Sequence, residues 1–211
     1  MNRRKLLQCA GGGAAGLLGA ALTSEARPPI FEPSRLNAVW VHGTTVEAED
    51  PGALDGISRR GVGSLFIGRA KPRGRLPETT WFHISIPAPV IINDVRPTLE
   101  KVFVFYRTNG AKIKSVHLYD GPKKIKAFDG LDFKGDLGYG IAPENTWALA
   151  RPVEILFGLG ISIGVQFDIG IDKPIPKEIL FTAAGADFRL PGKISDAEEM
   201  TIHPGTKIVK P

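Results

Sequence analysis

Short segments whose apolar residues recur at every second position, each stopped by Gly, Pro or an Asp/Asn-Gly pair, constrain this chain most. In "WFHISIP" (81–87), Phe82, Ile84 and Ile86 fall on one side of an extended backbone, and Trp81, His83 and Ser85 on the other. Successive side chains of a strand point to opposite faces, which makes that division a physical one. The same alternation runs through "VWVH" (39–42) and "IKSVHLYDG" (113–121), and "ISIGVQFDIG" (161–170) and "EILFTAAGADF" (178–188) read as further strands. No segment sustains the i, i+3, i+4, i+7 spacing of an amphipathic helix over three turns. About eight to twelve short strands with frequent turn residues predict an all-β fold. The expected form is an antiparallel two-sheet β-sandwich, jelly-roll-like, with long loops and little helix.

The chain ends read differently from its centre. Residues 1–26 pair Arg3-Arg4 with an apolar, Gly/Ala-diluted stretch and small residues before Arg27, the pattern of a twin-arginine-type signal peptide. Residues 27–37 are an extended, Pro-rich lead-in, 38–190 the sandwich domain, and 191–211 a polar C-terminal tail. Cys9, the single cysteine, lies inside the signal, so a processed chain has neither a disulfide nor a thiolate site. These features predict a periplasmic or secreted protein with no membrane span after signal removal. Removing Arg3, Arg4, Lys5 and Glu25 lowers the net charge from +5 to +3. So mild a charge, with no helix-turn-helix, zinc or RNA-binding signature, excludes nucleic acid as the expected partner.

Within the domain, residues 50–62 read as a loop. "EKVFVFYRT", "AKIKSVHLYDG" and "KKIKAFDG" read as a three-strand meander, turned at "NGA" and "DGP". The glycines at 158 and 160 read as a hairpin.

Alternation also sorts the residues able to carry chemistry. Trp40 and His42, Trp81 and His83, and His117 and Tyr119 all face away from the aliphatic stripes of their strands. If the three faces share one sheet surface, they make an amphipathic groove, with Trp40, Trp81 and Tyr119 as stacking surfaces for a ligand. His83, His117 and His42 are then the candidate acid/base groups; without convergence the pattern is ordinary packing. Arg73 and Arg75, in a basic Pro-containing loop, are candidate ligand contacts through guanidinium forks. No cofactor is predicted. A divalent metal on His42, His83 and His117 is the alternative, although their spacing does not call for one. "GISIG" (160–164) matches a serine-hydrolase string around Ser162, but strand-like flanks replace the strand-to-helix elbow that chemistry requires. Glu47, Glu49, Asp94, Asp120, Asp129, Asp132 and Asp136 complete the candidate carboxylates, with Asp120-Gly121 read as turn chemistry.

The layout "VWVHGTTVE", "WFHISIP", "VHLYDG" and "FGLGISIGVQF" resembles a family of small, often exported bacterial proteins of unknown function. That resemblance implies a β-sandwich over most of the domain and assigns no catalytic residue. The leading expectation is a protein that binds a glycan or small amphipathic ligand on a Trp/His-lined sheet face. The alternatives are a lyase- or hydrolase-type enzyme acting on an acidic saccharide or small molecule, and an envelope protein-interaction module.

Overall fold

A computed structural model describes residues 30–31, 35–69, 78–92, 94–168, 177–190, 192 and 194–195. A compact unit runs from Phe31 to Ile194 and contains two antiparallel sheets. Ile30–Phe31 (β1) pairs with Ile194–Ser195 (β14) as a separate two-stranded ribbon. Among the described residues the helical content is three 3-10 turns.

The first sheet is built around two long strands, Thr98–Asn109 (β7) and Glu178–Leu190 (β13). Asp136–Leu137 (β10) and Thr146–Glu154 (β11) share the far edge of β7. Gly63–Gly68 (β5) and Arg35–His42 (β2) share the far edge of β13, and Leu54–Arg60 (β4) pairs with β5. The fork between β2 and β5 falls at Phe181 and Thr182 of β13. Gly43 and Gly63 lie against the Phe181 carbonyl there, and a Cβ on either would overlap its oxygen.

The second sheet has the order β3-β6-β12-β8-β9. Its strands are Glu47–Ala48 (β3), Thr79–Ile86 (β6), Leu159–Phe167 (β12), Ala111–Asp120 (β8) and Lys123–Phe128 (β9). Phe82, Ile84, Ile86, Val116, Leu118, Ile161, Ile163 and Val165 of this sheet are buried against Phe66, Val104, Tyr106, Phe181 and Phe188 of the first. Three rings join the layers: Phe82 lies 4.6 Å from Phe66 and 5.4 Å from Phe181 between centroids. Burying such a ring stabilises the fold by about 2–3 kcal/mol, so the alternation seen in sequence is what holds the sheets face to face.

Three local expectations are corrected. Residues 54–60 form β4, an edge strand whose polar, Gly-containing sequence conceals its pairing. β7 and β8 do not pair; they belong to different sheets, so Asn109-Gly110 is a corner between layers rather than a hairpin. β11 and β12 likewise lie in different sheets, so Gly158, with φ +155°, turns the chain across the layers. The β8–β9 hairpin at Gly121 forms as expected, with Gly121 at φ +52°.

Candidate functional site

The outward face of the five-stranded sheet gathers Trp81, His83, His117 and Tyr119. In the central strand β12, Ser162 is in register with His83 on one side and His117 on the other. Gly164 is likewise flanked by Trp81 and Ser115, and Gly160 by Ser85 and Tyr119. Trp81, His83, His117 and Tyr119 thus occupy two strands separated by a row whose outward residues are Gly, Ser and Gly. Those small residues leave room above the sheet. A Cβ at Gly164 would crowd Thr79, the Trp81 ring and Ser115, whereas at Gly160 its nearest neighbour is Tyr119 Cβ at 3.7 Å.

Gly164 lets the indole of Trp81 lie over β12 and lean on the His117 imidazole, ring centroids 4.8 Å apart at 44°. His117 Nε2 is 2.8 Å from Asp129 Oδ1, and its side chain is only 13% exposed. Hydrogen bonds from His117 and then Ser115 hold the Asp129 carboxyl below its ordinary range. His117 therefore props Trp81 more than it faces solvent.

His83 is the open imidazole, with its side chain 44% exposed. Its Nδ1 lies 2.9 Å from Ser162 Oγ and its Nε2 3.2 Å from Glu49 Oε2. Glu49 is held beside β6 by its own N–H, which donates to the Trp81 carbonyl at 2.9 Å. Glu47, the cross-strand neighbour of His83, accepts from Arg59 at 2.6 Å. At the rim, the Lys124 ammonium lies 5.8 Å from the Tyr119 ring centroid.

A cleft of about 190 Å³ opens on the other side of Trp81, lined also by Glu49, Arg69, Glu78, Phe167 and Asp168. Ligand pockets usually measure about 300–1,000 Å³, so this volume suits one substituent of a larger ligand. Arg69 donates to Asp55 at 3.3 Å. A depression of about 370 Å³ lies on the first sheet near Arg60, Arg107 and Leu180, and no residue singled out for the ligand face lines it.

Asp120 anchors the end of this face. It is 5% exposed and accepts from the backbone N–H groups of Leu156 (2.9 Å), Phe157 (2.8 Å) and Gly158 (3.3 Å). Burial pushes its carboxyl up, but the hydrogen bonds from Phe157, Leu156 and Gly158 together outweigh it, so the group stays below its ordinary range. The three bonds hold the segment entering β12 and set Leu159 opposite Asp120. Asp120 is thus more than a turn residue.

The sequence-based groove is only partly realised. Trp40 and His42 lie on β2 of the other sheet. Trp40 folds across Gly185 onto Phe103, 5.1 Å away and nearly parallel at 22°, with Phe105 also at 5.1 Å. His42 bonds locally to Thr44. His42 does not converge with His83 and His117, and among the described residues no three His, Cys, Asp or Glu side chains gather for a metal. Arg73 and Arg75 lie outside the described residues, as do residues 1–26, expected from the sequence to be a signal. The sequence offered Glu49 only as one of several carboxylates and Ser162 only through a serine-hydrolase string that its strand flanks ruled against. Ser162 shares its strand parity with Gly160 and Gly164, and that parity is the signal that could have put it on this face.

Fold and site together define a two-sheet β-sandwich with an aromatic and imidazole-bearing outer face. The chain belongs to a family of unknown function, DUF6623, which matches residues 33–189. No curated protein and no solved structure matches it.

Proposed function

We propose that this protein is an exported, periplasmic or secreted binding module whose five-stranded sheet receives a glycan or small amphipathic ligand. One observation carries the reading. The Trp81 ring lies over β12 at Gly164 and Tyr119 stands beside Gly160, so two rings share one sheet face with the hydroxyl of Ser162. A sugar ring suits that face, because its C–H face packs on an aromatic ring while its hydroxyls reach Ser162. The twin-arginine-type signal supports export.

An enzymatic reading has one observation in its favour, the contact chain from Ser162 through His83 to Glu49. Acyl transfer also needs N–H donors aimed at a developing oxyanion. Ser162 lies in a central strand paired on both sides, where backbone N–H groups serve the sheet ladders, so binding is the better-supported reading.

The test is binding of the full chain to an array of neutral and acidic oligosaccharides. Trp81→Ala and Tyr119→Ala should each weaken binding about tenfold or more, the loss of roughly 1.4 kcal/mol. Trp40→Ala should leave affinity within about twofold. Retained affinity in both ring variants overturns the reading, and turnover of an oligosaccharide that His83→Ala abolishes favours the enzyme.

A further inference from the structure

We infer that Ser162 is the specificity-determining hydroxyl of this face, fixed by Glu49 and His83 as a hydrogen-bond acceptor toward the ligand. Its ligand arm rests on the binding reading above; its proton arrangement does not.

Both ring nitrogens of His83 have partners: Ser162 Oγ at Nδ1 and Glu49 Oε2 at Nε2. An ionised carboxylate only accepts hydrogen bonds, so Nε2 must carry the proton that meets Glu49. In the neutral ring Nδ1 is then an acceptor, and the only proton available to it is the Ser162 hydroxyl proton. With that proton turned inward, Ser162 offers only lone pairs to a ligand. The face with His83 neutral thus selects a ligand group that donates, such as a sugar hydroxyl or an amide N–H. It disfavours a carboxylate, whose lone pairs would meet those of Ser162.

Acid reverses the arrangement. A protonated imidazole donates from both nitrogens, so Nδ1–H turns toward Ser162 Oγ and frees the hydroxyl proton to point outward. The face then accepts a carboxylate better. The charged and titratable groups facing His83 fit this reversal. Glu47 is committed to Arg59 of β4, and Glu49 belongs to His83. From β12 comes only the uncharged Ser162, and beyond it His117 is committed to Asp129. Glu49 and His83 are positioning residues, acting through Ser162.

The tautomer of His83 tests this in the full chain, by nitrogen NMR of histidine-labelled protein at about pH 8, where an ordinary imidazole is neutral. The expected result is a protonated Nε2 and an acceptor-type Nδ1 in the wild type, with that preference weakened in Glu49→Ala, which leaves no acceptor at the position. A protonated Nδ1 in the wild type, or an unchanged tautomer balance in Glu49→Ala, overturns the proposal. The ligand arm compares a galactose oligosaccharide with its galacturonate counterpart, which replaces a donating hydroxymethyl by a carboxylate. Wild type should prefer the neutral sugar by roughly fivefold to tenfold. The preference should shrink in acid and disappear in Ser162→Ala, and a preference unchanged in Ser162→Ala contradicts the proposal. If neither sugar binds, the binding reading fails, and the tautomer alone decides how Ser162 is held.

Discussion

The Trp81 indole rests on the His117 imidazole at a centroid separation of 4.8 Å, and Asp129 holds that imidazole from its far side at 2.8 Å. An aromatic side chain on a sheet surface is useful for stacking only if it is kept from wandering. Here the restraint comes from β8, on the far side of β12, and from the loop after β9. Replacing His117 by Ala should remove an aromatic contact worth about 0.5–1.5 kcal/mol and loosen the indole. The checks are a lower denaturation midpoint and faster quenching of Trp81 fluorescence by acrylamide, measured with Trp40 and Trp147 replaced by Phe.

Stability should fall in acid with a defined sign. The carboxyls of Asp120, Asp129, Asp132, Asp136 and Glu100 all lie below their ordinary ranges in the folded chain. A depressed folded-state value means that the unfolded chain binds protons first as pH drops. The stabilisation is therefore complete above an unfolded carboxylate pKa of about 4 and is lost as pH falls through the lower folded values. Thermal midpoints should be insensitive to these groups near neutrality and drop below about pH 4. Asp129→Asn should flatten part of that acid slope.

Asp120 should matter more to the fold than an exposed turn residue does. Asp120→Ala strands the N–H groups of Leu156, Phe157 and Gly158, at a cost of roughly 3 kcal/mol. Asp120→Asn keeps one acceptor oxygen and should cost less. Urea denaturation of the two variants checks the order.

The fork in the seven-stranded sheet predicts a contrast among glycines. Gly43→Ala or Gly63→Ala drives a methyl into the Phe181 carbonyl, with positive φ added strain at Gly63. Each should destabilise by about 3 kcal/mol or more. Gly61→Ala, at a site where a Cβ meets nothing within 4 Å, should change stability by less than about 0.5 kcal/mol. Thermal melts of the three variants make the comparison.

Alternation made the faces of β6 and β8 legible, because the period of a strand is local and each face is set by which residues must be buried. It correctly turned Trp81, His83, His117 and Tyr119 outward. It could not say that β2 joins β13 rather than β6, because pairing partners are chosen by contacts distant in sequence. Trp40 and His42 consequently left the groove. The corner at Asn109-Gly110 was misread for a related reason: the same Asn-Gly chemistry that closes a hairpin also passes a chain from one sheet to the other. The Glu49–His83 contact was not legible either, because the two residues lie 34 positions apart.

On the proposed reading, ligand meets the outer face of the five-stranded sheet. Amide chemical-shift mapping during titration of the full chain with a neutral oligosaccharide tests it most directly. The largest perturbations should fall on Trp81, His83, Ser162 and Tyr119 and on Gly160 between the strands, while Trp40, Phe105 and Gly185 stay unmoved. Perturbations centred on Trp40 and β13, with β6 and β12 silent, would contradict it.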